Sequence, residues 1–196
     1  MKRIGITIGR EYGSGGRLIA KRLAQELGIH FYDKQLISDV ARQTGFTESF
    51  IRDAEHKRPT NSFLYDLYTS VQTQSVPNQV FIAQAQVIKQ AAQRESCVIV
   101  GRCAVYILRD NPDCLRVFVH APMDERVRRA REEYGVDQPN LESFVTRQDK
   151  ARASYYNYFA TGKWGERSTY DLCVNSRIGI DAAAAVIVAA ARKMME

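Results

Sequence analysis

The chain has 196 residues, and its 28 lysines and arginines against 22 aspartates and glutamates give a formal net charge of +6. This length suits a single domain with its own core, and no apolar run approaches the roughly 20 residues that a membrane span needs. Composition therefore excludes a membrane-spanning protein, and the lack of a signal-peptide pattern after Met1 leads us to expect a cytoplasmic one.

The first predicted strand covers residues 3–8 and leads into a cluster of glycines, after which apolar residues recur with the period of a helix. This arrangement binds phosphate, because glycines let backbone N–H groups converge and the first helical turn offers unpaired donors. Two arginines flank the loop and make it cationic. With an ordinary strand–helix turn as the alternative, we expect six residues to bind phosphate here: Arg10, Gly13, Ser14, Gly15, Gly16 and Arg17.

The loop departs from the usual P-loop pattern, which reads G-x-x-x-x-G-K-[ST]. When the two are aligned on the central Gly-Ser-Gly, Arg10 takes the place of the first glycine. Gly16 then takes the place of the lysine, and Arg17 takes that of the hydroxyl residue that binds Mg²⁺. The strict motif is therefore absent, although a cationic glycine loop remains.

Four further strands are predicted at residues 29–32, 97–100, 115–119 and 172–175. Long helical stretches separate most of them, and this alternation predicts a parallel sheet flanked by helices. The segment 34–95 is too long for a simple crossover, so we expect a mainly helical cap there. An ordinary pair of helices packed on the sheet is the alternative.

Arg102 follows the third predicted strand directly, after Gly101. A charged residue at the carboxyl edge of a buried strand points into the ligand crevice of an α/β sheet. The planar fork of arginine can grip a phosphate with two hydrogen bonds, so Arg102 is a candidate for a substrate phosphate. An ion pair with a neighbouring helix is the alternative.

Two later helices carry further arginines. Pro122 and Asp124 indicate a helix start, which places Arg126 and Arg129 on one face, where they could close over phosphates. We assign Arg128 to the solvated face.

On the next helix, Arg147 and Arg152 flank Asp149. Arginines supply the positive charge that phosphoryl transfer needs, although a D-x-x-R pattern alone is mostly a surface ion pair.

Arginines are grouped at predicted strand ends and on short helices, with no basic tail, which favours a small polyanion over nucleic acid as the ligand. The four cysteines form no C-x-x-C pair and no metal-binding spacing. Cys97 and Cys173 lie in apolar runs, so we expect buried free thiols in a reducing compartment.

Taken together, these motifs resemble bacterial cytidylate kinases and, more closely, the cytidylate kinase-like family of P-loop proteins. The matching stretches cover almost the whole chain: residues 6–17, 27–33, 101–103, 116–126, 149–152, 164 and 170–172. The resemblance implies a P-loop NTPase-type, three-layer α/β/α fold with a mainly parallel sheet. One kinase-like domain would span 1–196, with a helical acceptor-binding insert at 34–95 and a lid at about 122–168.

The resemblance also implies transfer of the γ-phosphoryl group of ATP, with Mg²⁺, to a nucleoside monophosphate. The loop would cradle the donor phosphates, and none of the side chains is assigned to the metal. The acceptor would meet Asp33, Arg102 and Arg147. Catalysis would fall to four residues: Arg17, Arg126, Asp149 and Arg152.

One departure from true cytidylate kinases concerns the base. Those enzymes follow the arginine at position 102 with an aspartate that helps to recognise cytosine, whereas this chain has Cys103. Two alternatives therefore stay open beside a nucleotide kinase. One is a kinase of a non-nucleotide small molecule, and the other is a catalytically inert nucleotide-binding regulator.

Overall fold

The computed structural model describes residues 2–33, 35–51 and 76–196. Within these ranges five parallel strands form one sheet in the order β2-β3-β1-β4-β5. The strands are β1 (Gly5–Arg10), β2 (His30–Tyr32), β3 (Cys97–Val100), β4 (Cys114–His120) and β5 (Leu172–Asn175). The predicted parallel α/β fold is confirmed.

Helices follow each strand, as the βαβ pattern requires. They are α1 (Gly16–Leu27), α2 (Gln35–Thr44), α3 (Val76–Arg94), α4 (Ala104–Ile107), α5 (Met123–Glu132), α6 (Leu141–Phe159) and α7 (Ile180–Met194). Short 3₁₀ turns occupy Arg167–Thr169 and Ser176–Ile178. In the described part of the chain, no helix is long and apolar enough to cross a membrane.

Helices cover both faces of the sheet. On one face α1 and α7 pack with an aliphatic cluster that includes Ile6, Leu23 and Ile187, all fully buried. On the other face α2, α3, α4 and α6 enclose a cluster that is richer in aromatic rings. The molecule is therefore three layers deep, which matches the architecture that the resemblance implied.

The aromatic face joins α3 to α6 by specific contacts. The rings of Phe81 and Phe159 stack with centroids 4.0 Å apart and planes at 7°. The Tyr155 hydroxyl donates to Gln84 Oε1 at 2.9 Å, and a second such bond links Tyr158 to α3. Because Gln84 is only 1% exposed, this hydrogen bond satisfies a buried polar group.

Two expectations need comment. Cys173 is exposed rather than buried, because β5 is an edge strand and turns this side chain outward. Cys97, Cys103 and Cys114 are buried free thiols. Part of the predicted insert, residues 34 and 52–75, lies outside the described residues, and helices α2 and α3 occupy much of the remainder.

Candidate active site

The glycine loop between β1 and α1 adopts a conformation that favours glycine. Gly13 and Gly15 have φ angles of 77° and 75°, in the left-handed region that side chains rarely enter. A Cβ on Gly13 would also collide with the backbone carbonyl of Arg126. The loop is tightened from inside, because the fully buried Ser14 hydroxyl donates to the Glu11 carbonyl at 2.9 Å.

Helix α1 begins directly after this loop, with Gly15 as its N-cap. No side chain caps the helix start, and the first turn contains no acidic residue. The first amides of a helix need partners from outside it, and the positive end of the helix dipole favours an anion. The start of α1 is therefore chemically suited to a phosphate.

Arg126 braces the loop from α5. It is 5% exposed, and its Nε donates to the Tyr12 carbonyl at 2.8 Å. Its two terminal nitrogens pair with Glu11 at 3.3 Å and with Asp149. Because every nitrogen of Arg126 contacts the fold itself, the structure sets Arg126 against the loop rather than in the cavity described below.

Arg129, one turn further along α5, contacts the same loop. It is also 5% exposed and donates to the Gly13 carbonyl at 2.6 Å. Glu133 lies 3.3 Å from its Nε. By contrast, Arg128 pairs with two glutamates on the exposed face of α5, which confirms its predicted place in solvent.

A cavity of about 230 Å³ opens at the carboxyl ends of β1 and β3. It lies where the strand order reverses around β1, the usual ligand crevice of an open α/β sheet. Three of the predicted arginines line it: Arg10, Arg102 and Arg152. Four aromatic residues also line it: Tyr155, Tyr156, Trp164 and Tyr170. The site can thus hold an anionic group beside a planar or apolar one.

Asp149 connects the cavity to the loop. One of its oxygens accepts from the Tyr12 amide at 2.7 Å, and the other pairs with Arg126. Arg152 lies farther away, with Nη1 3.9 Å from Asp149 Oδ1. Arg152 also donates to the Arg10 carbonyl at 3.2 Å, and its guanidinium lies 5.3 Å from the centre of the Tyr12 ring.

The turn after β3 brings Arg102 to the cavity in a strained backbone conformation. Gly101, Arg102 and Cys103 have consecutive φ angles of 74°, 56° and 53°. Left-handed residues other than glycine cost free energy and cluster at functional sites. Burial raises the pKa of the Cys103 thiol, so a neutral thiol faces the cavity at the position that follows Arg102.

The electrostatics of the cavity are unfavourable to its own arginines. Burial and the nearby charges of Arg152 and Arg102 lower the pKa of Arg10 to about 9. Burial also lowers the pKa of Arg152. Cations that are close together repel one another and are stabilised by a bound anion, and this makes the cavity a candidate anion site.

Two predicted site residues, Arg17 and Asp33, pair with each other, and Arg147 lies elsewhere. Arg17 Nε and Asp33 Oδ2 are 2.5 Å apart, which ties the first turn of α1 to the end of β2. Arg147 is on a different face of α6, with its guanidinium 5.5 Å from the Phe144 ring, and it does not line the main cavity. The structure therefore does not bring Arg147 together with the other predicted residues.

The donor chemistry around the loop suits a phosphate better than a protein-bound Mg²⁺. Each carboxylate near the loop pairs with an arginine: Glu11, Asp33 and Asp149. Among the described residues, no group of three or more His, Cys, Asp or Glu side chains could hold a metal. In nucleotide sites Mg²⁺ is held by one or two carboxylates, by water and by the phosphates of the nucleotide, so it would enter this site with a bound nucleotide.

Sequence reasoning missed several cavity and loop residues. Gln148 and Tyr155 line the cavity with Arg152, and their spacing of i, i+4 and i+7 is the face of a helix. Once Arg152 was assigned to the site, helical spacing could therefore have predicted Gln148 and Tyr155 as well. Glu11 had no such signal, because its partner Arg126 is distant in sequence.

The sheet order and the flanking helices give this chain the fold of the P-loop kinases. Shikimate kinase from Bacteroides thetaiotaomicron has this fold, with a TM-score of 0.56 and 16% identity over 94% of this chain and 95% of that one. The model of the cytidylate kinase-like family matches residues 5–178, and the chain belongs to this family.

Two other similar proteins cover nearly the full chain. The cytidylate kinase of Methanopyrus kandleri is 23% identical over 97% of this chain and 94% of its own length. The crystal structure of an uncharacterized protein from Eubacterium ventriosum has a TM-score of 0.74 and 32% identity, over 97% of this chain and 99% of that one. Family and fold together are those of a nucleotide-kinase-type phosphotransferase.

Proposed function

We propose that this protein transfers the γ-phosphoryl group of ATP to a nucleoside monophosphate in the reducing cytoplasm. The observation that carries the proposal is the meeting of Arg10, Arg102 and Arg152 in one cavity beside the glycine loop. Phosphoryl transfer depends on positioning and on fixed positive charge around the negative charge of the transition state. Three guanidinium groups next to a phosphate-binding helix start can supply both.

Each residue has a proposed role. Residues 13–17 hold the donor phosphates, Arg102 holds the phosphate of the acceptor, and Arg152 faces the group in transfer. Arg126 and Asp149 support catalysis by holding the loop. Arg17 and Asp33 link the donor and acceptor sides through their ion pair. We further propose one kinase domain, with 34–95 as acceptor-binding insert and about 122–168 as lid.

Cys103 favours a second candidate for the acceptor. Its neutral thiol stands where cytidylate kinases place a carboxylate for cytosine, so this site lacks that hydrogen-bond acceptor for the exocyclic amine. A kinase of a non-nucleotide small molecule, with an anionic group on Arg102, would use the same cavity.

A screen of acceptors tests the proposal. ATP binding is measured by calorimetry, and ADP release is then measured with each nucleoside monophosphate and with a set of non-nucleotide acceptors. Turnover of a monophosphate supports the proposal, and turnover of another acceptor alone selects the second candidate. ATP binding with no turnover of any acceptor would mean a regulator, and no ATP binding would contradict both kinases.

The variant Cys103→Asp sharpens the screen, with Cys103→Asn as its matched control. Asp and Asn both tolerate the left-handed backbone of this position. If the base lies against residue 103, Cys103→Asp should raise kcat/KM for CMP relative to the other monophosphates, and Cys103→Asn should raise it less. Equal ratios in both variants and the wild type would place the base elsewhere.

A further inference from the structure

Positions 10 and 16 carry the reverse of what a P-loop places there. The usual pattern begins with a glycine and has its lysine six positions later. This chain has an arginine first, Arg10, and a glycine, Gly16, where the lysine belongs. Each exchange alone would damage the motif, so the pair of changes needs a physical explanation.

The stem of Arg10 fills the space that a side chain at position 16 would need. A Cβ built on Gly16 would lie 2.6 Å from Cβ and 3.0 Å from Cγ of Arg10. Real Cβ atoms essentially never approach another atom as closely as 2.6 Å. Gly16 has no positive φ angle, unlike its neighbours in the loop. Glycine is therefore required here by space and not by backbone conformation.

The far end of Arg10 is accommodated by a second glycine. A Cβ on Gly101 would collide with Nη1 of Arg10. The arginine thus runs from the end of β1, past the start of α1, to the turn after β3. Its guanidinium reaches the cavity beside Arg102 and Arg152.

This guanidinium lacks a counterion of its own. Over residues 2–33, 35–51 and 76–196, Arg10 makes no side-chain hydrogen bond and no ion pair. Its nearest charges include two further arginines, which repel it, and Asp33, which is already paired with Arg17. A half-buried cation in such surroundings is stabilised by an anion, and the cavity gives that anion access.

We propose that Arg10 supplies the terminal phosphates of the nucleotide with the charge that a P-loop lysine supplies elsewhere. Gly16 is a glycine because the Arg10 stem occupies the place of that lysine. The inference rests on the proposed function, since it needs a nucleoside triphosphate on the loop. It assigns a phosphate-binding role to a residue at the position where the strict motif allows no side chain.

An exchange of the two residues tests the inference. Arg10→Gly should weaken ATP binding by about tenfold or more, because charge-assisted contacts to phosphate are the strong ones. Gly16→Lys alone should also weaken it, since the new side chain collides with Arg10. The double variant Arg10→Gly/Gly16→Lys restores the usual pattern and should recover most of the affinity. Calorimetry with ATP measures all four proteins, and circular dichroism checks that each is folded.

The double variant Arg10→Gly/Gly16→Ala is the matched control. It removes the collision without supplying charge, so it should bind ATP as weakly as Arg10→Gly. Three results would overturn the inference. They are recovered ATP affinity in this control, no recovery of ATP affinity in Arg10→Gly/Gly16→Lys, and unchanged ATP affinity in Arg10→Gly. A wild-type protein that binds no ATP would instead contradict the proposed function, together with everything that rests on it.

Discussion

Two groups of arginines lie on either side of the glycine loop and differ in what surrounds their guanidinium groups. On the α5 side, Arg126 and Arg129 are buried against carbonyls and carboxylates of the fold. On the cavity side, Arg10 and Arg152 lie close to each other, and both have a lowered pKa. Buried arginines that are bound to carbonyls and carboxylates of the fold stabilise its structure, whereas arginines that repel one another favour binding of an anion between them.

The largest expected effect comes from removing a loop brace. Arg126→Ala leaves Glu11 and Asp149 without their partner and should lower the free energy of unfolding by about 3 kcal/mol, the lower end for a broken buried pair because both carboxylates are partly exposed. Chemical denaturation measures this change. A loss below about 0.5 kcal/mol, the size of an ordinary surface substitution, would show that Arg126 does not brace the loop.

Removal of a cavity arginine should act on rate instead. Arg152→Ala should lower kcat by about a hundredfold or more, beyond any change in ATP affinity, because its charge is needed most in the transition state. Steady-state kinetics with the acceptor from the screen measure it. Arg128→Ala, on the exposed face of α5, is the control and should change little. Equal damage from both variants would refute the division into two groups.

Two glycines with similar φ angles separate the effect of backbone strain on stability from the effect of close packing in the glycine loop. Gly28→Ala, at φ 63° with open space around it, should cost about 1 kcal/mol for the left-handed backbone alone. Gly13→Ala carries the same strain at φ 77° and adds a collision with the Arg126 carbonyl, so it should cost more. Thermal unfolding measures the loss of stability in both variants. Equal losses would mean that the loop moves away from the new methyl group without a cost in free energy.

The smallest effect should be a gain in stability. Arg10→Met keeps the length of the stem and removes the uncompensated charge, so without ligand it should raise Tm by roughly 2–4 °C, equivalent to about 1 kcal/mol. This difference in Tm should shrink as pH rises above 9. Arg10 then loses its charge in the folded wild type but not in the unfolded chain, so the wild type becomes more stable with pH. A lower Tm in Arg10→Met at pH 7 would mean that Arg10 is already paired.

The sequence predicted the strands well where apolar runs end sharply. The limits of β3 and β5 agree with those predicted. Strand β1 runs to Arg10 instead of residue 8, because Gly9 and Arg10 continue to pair with β4. A glycine followed by a charged residue is typical of the end of a strand. Only the pairing with the neighbouring strand shows that β1 continues through both residues.

The sequence predicted that arginines belong to the site, but it did not predict which groups their side chains contact. Helical spacing placed Arg126 and Arg129 on one face, as observed, but it could not say that Glu11 and a loop carbonyl would meet them there. Those partners are more than a hundred positions away in the chain. For Arg147 the spacing was informative, because five positions along a helix place it and Arg152 on roughly opposite sides of Asp149, and the structure has Arg147 on another face of α6.

The ring stack and the tyrosine hydrogen bonds between α3 and α6 have a consequence for timing. Arg152 lies on α6, one turn before Tyr155, which is bonded to Gln84 of α3. Under the proposed function, a movement of α3 on acceptor binding would carry Arg152 with it, because these contacts fix α6 to α3. Binding of the acceptor and placement of this positive charge would then occur in one step.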